Sequence, residues 1–128
     1  MKVLLDTCAF IWANLDSPRL SPTARSVLAD EENEVYLSVV SCWEIAIKSA
    51  RGTLPLPGPA EVYVPQAREK NGIRPLPLDE ESALHVSKLP ALHNDPFDRM
   101  LICQAMVHGM VLLTPDPAIV RYPVRSLW

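Results

Sequence analysis

Short apolar runs that end near an acidic residue occur at both ends of this 128-residue chain. Residues 2–5 (KVLL) directly precede Asp6, and residues 110–113 (MVLL) shortly precede Asp116. Runs of this length, bounded by turn signals, predict buried strands rather than helices. In an open parallel sheet, the ligand crevice lies beyond the carboxyl ends of the strands. The pattern therefore predicts a parallel sheet with acidic side chains at its carboxyl edge.

The rest of the chain alternates between strand and helix patterns. Strand-forming composition predicts a strand at 34–38, an extended segment at 73–78 and a short edge strand at 123–124. Helix patterns follow Asp6 directly and then cover 22–28, 39–51, 60–70, 80–86 and 96–108, with Pro65 expected to kink or delay the helix at 60–70. This order predicts the α/β class: a three-layer α/β/α sandwich with a central, mostly parallel sheet, in one domain spanning 1–128.

Five acidic residues fall at strand ends or near the starts of predicted helices. They are Asp6, Glu44, Asp95, Asp98 and Asp116. Carboxylates held close together repel one another, and the repulsion raises their pKa values unless a cation neutralises them. Mg²⁺ takes oxygen ligands of this kind. The three histidines are scattered and the three cysteines show no C-x-x-C spacing, so a zinc site or a disulfide framework fits poorly. The acids favour a divalent-metal site for phosphodiester chemistry.

Four of these acids also have a structural explanation. Asp6 can cap a helix that starts at Thr7, and Asp116 lies in TPDP, a typical turn composition. Asp95 is a suitable N-cap before Pro96, and Asp98 can complete a capping arrangement. We favour Asp98 as a ligand and Asp95 as a cap that also lines the pocket. The argument for a site depends on the joint placement of the acids.

Glu44 has two readings that depend on where its helix begins. In the first, Ser41 is the N-cap and Ser41-Cys42-Trp43-Glu44 forms a capping box, in which Glu44 is purely structural. In the second, Ser38 is the N-cap and Glu44 lies in the second turn. Its neighbours are mostly apolar, so the carboxylate would then be partly enclosed and would require a cation nearby.

The net charge of −3 is unusual for a nucleic-acid-binding protein. Without the five site acids, however, 12 basic residues face 10 acidic ones (15 less 5). This balance is compatible with RNA as a substrate but argues against tight, non-specific duplex binding. No apolar run approaches the roughly 18 residues needed to cross a bilayer, and we expect a cytoplasmic protein.

Four segments, in this order and spacing, resemble the PIN-domain ribonucleases, and most closely the VapC-type toxins of bacterial type II toxin–antitoxin systems. They are VLLDTCAFIW, SCWEIAIK, HNDPFDRMLICQA and VLLTPD. The resemblance covers essentially the whole chain. It implies a three-layer fold, Mg²⁺- or Mn²⁺-dependent endoribonuclease activity, inhibition by a cognate antitoxin, and a homodimer.

The resemblance also implies roles for individual residues. The family's acidic quartet corresponds to Asp6, Glu44, Asp98 and Asp116, which would be both catalytic and metal-binding. Asp95, Thr7 and Thr114 would line the pocket. The chain departs from its relatives at Cys8, where His is frequent, and at Cys103, where small residues are usual, but neither replaces an acid.

The chemistry implied is hydrolysis of an RNA phosphodiester, leaving a 5′-phosphate and a 3′-hydroxyl, with transfer RNA or ribosomal RNA as expected substrates. Arg99 and Lys48 are candidate phosphate contacts, or alternatively salt-bridge partners of the site acids. The main alternative is a catalytically inactive PIN module that binds an antitoxin or RNA. A phosphoacceptor receiver domain fits less well, because only Arg121 and Arg125 follow Asp116 where a Lys is needed.

Overall fold

Five parallel strands form the centre of the computed structural model, which describes residues 1–128. They are β1 (Lys2–Leu5), β2 (Glu34–Ser38), β3 (Arg74–Leu76), β4 (Val111–Leu113) and β5 (Ser126–Leu127). Their order across the sheet is β3-β2-β1-β4-β5, and all four pairings are parallel. The predicted fold class is confirmed. Because every strand runs the same way, all carboxyl ends lie at one edge of the sheet.

Seven α-helices connect and cover these strands. They are α1 (Thr7–Leu15), α2 (Pro22–Ala29), α3 (Val39–Ala50), α4 (Ala60–Lys70), α5 (Glu80–His85), α6 (Pro96–His108) and α7 (Pro117–Val120), and a 3-10 turn (Val86–Lys88) follows α5. α6 ends at Gly109, which takes the left-handed conformation (φ 65°) that favours glycine.

Two separate apolar cores lie on the two faces of the sheet. Along β1, Val3 and Leu5 belong to one core, whereas Leu4 belongs to the other. β4 shows the same alternation at Leu113 and Leu112. Successive side chains of a strand point to opposite faces, so both faces of these central strands are buried. The three-layer arrangement follows directly from this alternation.

One predicted strand is wrong, and one helix was not predicted. The last strand is β5 at Ser126–Leu127 and not residues 123–124, because the β4 backbone pairs with Arg125 and Leu127 instead (Leu112 N–H to Arg125 O, 2.8 Å; Thr114 N–H to Leu127 O, 3.1 Å). Residues 117–120, directly after the turn predicted at TPDP, form α7, for which no helix was predicted. Within the predicted extended segment 73–78, residues 74–76 pair as a strand at the sheet edge, where a proline is tolerated.

Pro65 lies inside α4, which begins at Ala60 without delay. A proline in this position leaves the carbonyl of the residue four positions earlier without its helical donor. That residue is Glu61, which is exposed, so water can take the place of the missing N–H.

Candidate active site

Asp6 stands at the junction of β1 and α1 and is only 4% exposed. Its Oδ1 accepts a hydrogen bond from the Ala9 backbone N–H at 2.7 Å, so it is the N-cap of α1. Its Oδ2 accepts one from the Thr114 hydroxyl at 2.5 Å. Burial raises the pKa of Asp6 above its ordinary value, although the hydrogen bonds from Thr114, Ala9 and Cys8 oppose the rise. The capping role and a site role therefore coexist in one side chain.

Glu44 lies in the second turn of α3 and is 5% exposed. Ser38 is the N-cap of this helix, with its hydroxyl accepting from the Val40 N–H at 3.0 Å, so the capping box from Ser41 is excluded. The Thr7 hydroxyl donates to Glu44 Oε1 at 2.6 Å, and the Lys48 ammonium pairs with Oε2. Glu44 is thus a buried carboxylate with a cation beside it.

Asp95 and Asp98 divide the two roles expected of them. Asp95 caps α6, accepting from the N–H groups of Phe97 (2.9 Å) and Asp98 (3.1 Å). The Asp98 carboxylate caps nothing, and its Oδ2 lies 3.3 Å from His93 Nε2. Burial, together with the charges of Asp95, Asp116 and Glu44, raises the pKa of Asp98 to about 6, although the hydrogen bond from His93 opposes the rise. The charges of acids from three separate parts of the chain therefore raise the pKa of one carboxyl group.

Asp116 joins the same group through Thr114. Its carboxylate caps α7 by accepting from the Ala118 N–H at 2.9 Å. The Thr114 hydroxyl, which donates to Asp6, also accepts from the Asp116 N–H at 3.1 Å. The ends of β1 and β4 are thereby linked at the site. The four acids of the predicted quartet gather at the carboxyl edge of the sheet.

The two candidate phosphate contacts are placed differently. Lys48 is 45% exposed and faces the acids: its hydrogen bond to Glu44 raises its pKa, and Asp95 and Asp98 act in the same direction. Arg99 forms no ion pair with a site acid. Its Nη1 donates to Pro90 O at 2.8 Å and to the Tyr122 hydroxyl at 3.0 Å. Of the two salt bridges considered from the sequence, only that of Lys48 is formed.

A histidine and a tyrosine that were not predicted as site residues support Asp98. The Tyr122 hydroxyl lies 2.7 Å from His93 Nδ1 and accepts from the His93 backbone N–H at 3.1 Å. Through its other nitrogen, His93 reaches Asp98. The position of His93 five residues before Asp98, in HNDPFD, was the available signal for this contact. No sequence signal indicated Tyr122, because this residue lies far along the chain and contacts His93 only in the folded structure.

The side chains present fit an oxygen-preferring divalent ion by their chemistry. The converging donors are carboxylates and hydroxyls, and burial raises the pKa of the neighbouring Cys8 thiol, which opposes its ionisation to a metal-binding thiolate. Cys103 is buried in α6, away from these acids in the second core. No three His, Cys, Asp or Glu side chains are close enough to form a ready metal cage. A divalent ion held here would therefore be bound partly through water.

None of the helices is both long enough and apolar enough to span a membrane.

The chain is similar to known proteins over its whole length. The family model described as PIN domain matches residues 3–124. A segment of 72 residues, 53% of this chain, is 39% identical to Ribonuclease VapC16 of Mycobacterium tuberculosis (strain ATCC 25618 / H37Rv) and spans about half (51%) of that protein. Over 115 residues, 89% of this chain and 86% of the relative, it is 27% identical to Ribonuclease VapC22 of the same strain.

Solved structures share the fold. VapBC2 from Rickettsia felis, bound to a DNA fragment from its promoter, matches with a TM-score of 0.74 at 12% identity, covering 99% of this chain and 98% of that one. VapBC-1 from nontypeable Haemophilus influenzae matches with a TM-score of 0.66 at 20% identity, covering 99% and 97%. Identities this low support the shared fold alone.

Proposed function

We propose, because this chain belongs to the PIN domain family, that it is a divalent-metal-dependent endoribonuclease acting as the toxin of a toxin–antitoxin pair. The observation that carries the proposal is the convergence of Asp6, Glu44, Asp98 and Asp116 at one sheet edge, where the charges of Glu44, Asp116 and the neighbouring Asp95 raise the pKa of Asp98. A cluster of like charges with raised pKa values is typical of a functional site. Two ribonuclease-named relatives support the same reading.

In this proposal the four acids hold Mg²⁺ or Mn²⁺, directly or through water. When bound, the ion would activate water and neutralise charge on the scissile phosphate. Thr7 and Thr114 hold Glu44 and Asp6 in place through their hydroxyls. Lys48 is the side chain placed to meet a substrate phosphate, because it is half exposed beside the acids. Arg99 would contact a substrate phosphate only after its hydrogen bonds to Pro90 and Tyr122 were broken.

Asp98 is the best candidate for accepting a proton from the attacking water. Its carboxylate has only one hydrogen-bond partner, His93, whereas both oxygens of Asp6 and of Glu44 are engaged. Asp116 is the alternative acceptor, since one of its oxygens is free of capping.

The partners proposed are an RNA, a cognate antitoxin and a second copy of the chain, in the cytoplasm. Transfer RNA and ribosomal RNA are the proposed substrate classes. The antitoxin is supported by the structural neighbours described above, which are VapBC complexes. Residues 1–128 would act as one PIN domain.

The deciding experiment replaces Asp6 by Asn. The amide oxygen still accepts from Ala9, so the helix cap is kept while the negative charge is lost. We expect the purified Asp6→Asn protein to fold with an unchanged circular dichroism spectrum. It should not cleave a labelled RNA. The wild type should cleave the same RNA in the presence of Mg²⁺, and EDTA should abolish that cleavage. Sequencing RNA 5′ ends after brief induction, in a host without the antitoxin, would map the cleaved sites.

Undiminished cleavage by Asp6→Asn would remove Asp6 from the mechanism. If the wild type binds antitoxin or RNA but cuts nothing in any divalent metal, the chain is instead an inactive binding module.

A further inference from the structure

A cavity of about 180 Å³ opens beside Glu44, between α1 and the C-terminal half of α3. It is lined by Thr7, Cys8, Ile11, Trp12, Glu44, Lys48 and Leu54. The volume lies below the roughly 300–1,000 Å³ of pockets that hold drug-sized ligands. It is therefore suited to one flat ring rather than to a larger ligand.

The walls of the cavity are apolar and aromatic. Ile11 and Trp12 come from α1, and Leu54 comes from the loop after α3, where its N–H donates to Lys48 O at 3.3 Å. The Trp12 ring is held by Trp128, with centroids 5.8 Å apart, and by Arg19, whose guanidinium lies 5.5 Å from the ring centroid. Cys8 stays a neutral thiol, because burial raises its pKa. A rigid aromatic and apolar wall of this kind can stack or pack a nucleobase.

The cavity shares three of its lining residues, Thr7, Glu44 and Lys48, with the candidate active site. Thr7 and Glu44 are hydrogen-bonded to each other at 2.6 Å, and the Lys48 ammonium pairs with Glu44. A group seated in the cavity thus lies next to the carboxylate that would act on the scissile phosphate. A lysine there can contact a phosphate on the same strand. An RNA strand presents these two features, a flat apolar base and a nearby phosphate, one nucleotide apart.

We propose that this cavity binds one unpaired nucleobase of the RNA substrate, adjacent to the bond that is cut. The proposal rests on the nuclease function proposed above and adds to it a site for one base beside the cleaved bond. The base must be unpaired because a base held in a duplex is stacked on both faces and cannot enter a pocket between two helices. The cavity would then contribute to choosing where the enzyme cuts.

The test combines an abasic substrate with a filled cavity. Short RNA oligonucleotides spanning the mapped cleavage site are made with a single abasic nucleotide at each position flanking the cut. For the wild type, removal of one particular base should lower kcat/KM at least about fivefold, the lower limit expected for losing one stacked base. In Leu54→Trp, which fills the cavity, the intact RNA should be cut more slowly and the same abasic change should alter kcat/KM less than about twofold.

Leu56→Trp is the matched control, because Leu56 lies in the same Pro-rich loop and packs on the same core without lining the cavity. It should respond to the abasic nucleotide as the wild type does. If Leu54→Trp does not fold, as judged by circular dichroism, Leu54→Ala enlarges the cavity instead and should reduce the discrimination between purine and pyrimidine at that position.

Equal responses of the wild type and the Leu54 variants to every abasic position would overturn the cavity proposal while leaving the nuclease intact. The proposal also fails if Leu54→Trp keeps the abasic response but weakens binding of the antitoxin, since the cavity would then hold a side chain of that partner. Absence of cleavage by the wild type would refute the nuclease function itself.

Discussion

A single hydroxyl group, that of Thr114, connects two of the four acids. A threonine hydroxyl has one donor proton, and here it is given to Asp6 Oδ2, while the oxygen accepts from the Asp116 N–H. The group is 1% exposed, so water does not compete for these bonds. At the residue scale, the site is therefore held by hydroxyls that orient the carboxylates, and Thr7 does the same for Glu44.

Replacing Thr114 by Val keeps the shape of the side chain and removes its hydroxyl. The variant leaves a buried carboxylate oxygen without its donor, so we expect a loss of about 1–3 kcal/mol in the free energy of unfolding. Urea denaturation measures this loss. Thr114→Ser is the control and should retain most of the stability, since it keeps the hydroxyl. Equal stability of the Val and Ser variants would show that the bond to Asp6 contributes nothing.

Ionisation of Asp98 should destabilise the fold in the absence of metal. Its pKa is raised from 3.8 to about 6 in the folded state, so the carboxyl favours folding below pH 3.8, and that contribution is lost as the pH rises through about 6. In EDTA, Asp98→Asn should therefore be more stable than the wild type at about pH 8, by up to about 3 kcal/mol, with little difference at about pH 4.

Urea unfolding at the two pH values tests this, with the exposed Glu31→Gln as the control. Added Mg²⁺ should stabilise the wild type at about pH 8 more than it stabilises Asp98→Asn. A difference between Asp98→Asn and the wild type that does not change with pH would contradict the explanation.

The acids could be predicted from the sequence, but most of their partners could not. Asp6 and Asp116 were recognisable because each closes an apolar run, and Asp98 because it follows an Asp-Pro helix start. Thr7 and Thr114 were implied by the family resemblance. Tyr122 and the orientation of Arg99 depend on how α6 packs against the C-terminal segment, and no local pattern encodes that packing.

At the scale of elements, the start of α3 decides the role of Glu44. β2 passes directly into α3, and Ser38 at the junction caps the helix while its hydroxyl donates to Gln104 Oε1 at 2.5 Å. Glu44 is thus carried into the buried second turn. Ser41, the rival cap, lies inside the helix with a buried hydroxyl that has no hydrogen-bond partner. The sequence is compatible with a start of α3 at either Ser38 or Ser41, and the packing of Ser38 against α6 selects Ser38.

The two serines should therefore respond to alanine in opposite directions. Ser38→Ala removes a helix cap and a buried hydrogen bond, and we expect the free energy of unfolding to fall by about 1–3 kcal/mol. Ser41→Ala removes an unpaired buried hydroxyl and introduces a better helix former, so it should be neutral or gain up to about 1 kcal/mol. Chemical denaturation of the Ser38→Ala and Ser41→Ala proteins measures the two changes in the free energy of unfolding. Destabilisation by Ser41→Ala would instead support the capping box between Ser41 and Glu44.

At the scale of the whole molecule, the parallel sheet buried on both faces concentrates charge at one edge. Its central strands were predictable from their composition, and so was the layered fold. The position of β5 was not, because a strand of two residues is defined by its pairing with β4 and has no pattern of its own. α7 was missed for a related reason, since four residues are too few to show helical periodicity.

The overall charge predicts how RNA binding should depend on salt. With 12 basic and 15 acidic residues, few cations are available for phosphates outside the site. The inactive Asp6→Asn protein should bind single-stranded RNA with a log–log salt slope of magnitude about 2 or less, corresponding to about three phosphate contacts. Fluorescence anisotropy measures the slope. Tighter binding to a duplex than to the single strand, or a slope several times steeper, would contradict this.

The hydrogen bond from Thr114 to Asp6 spans 108 positions of the chain, and β1 and β4, which are neighbours in the sheet, are separated by nearly all of it. A polypeptide still being synthesised carries Asp6 and Glu44 long before it carries Thr114 and Asp116. The acidic quartet is therefore incomplete on the ribosome until β4 and Asp116 have been translated. Premature termination upstream of β4 would release a fragment without Thr114 and Asp116, and under the proposed function such a fragment should not cleave RNA.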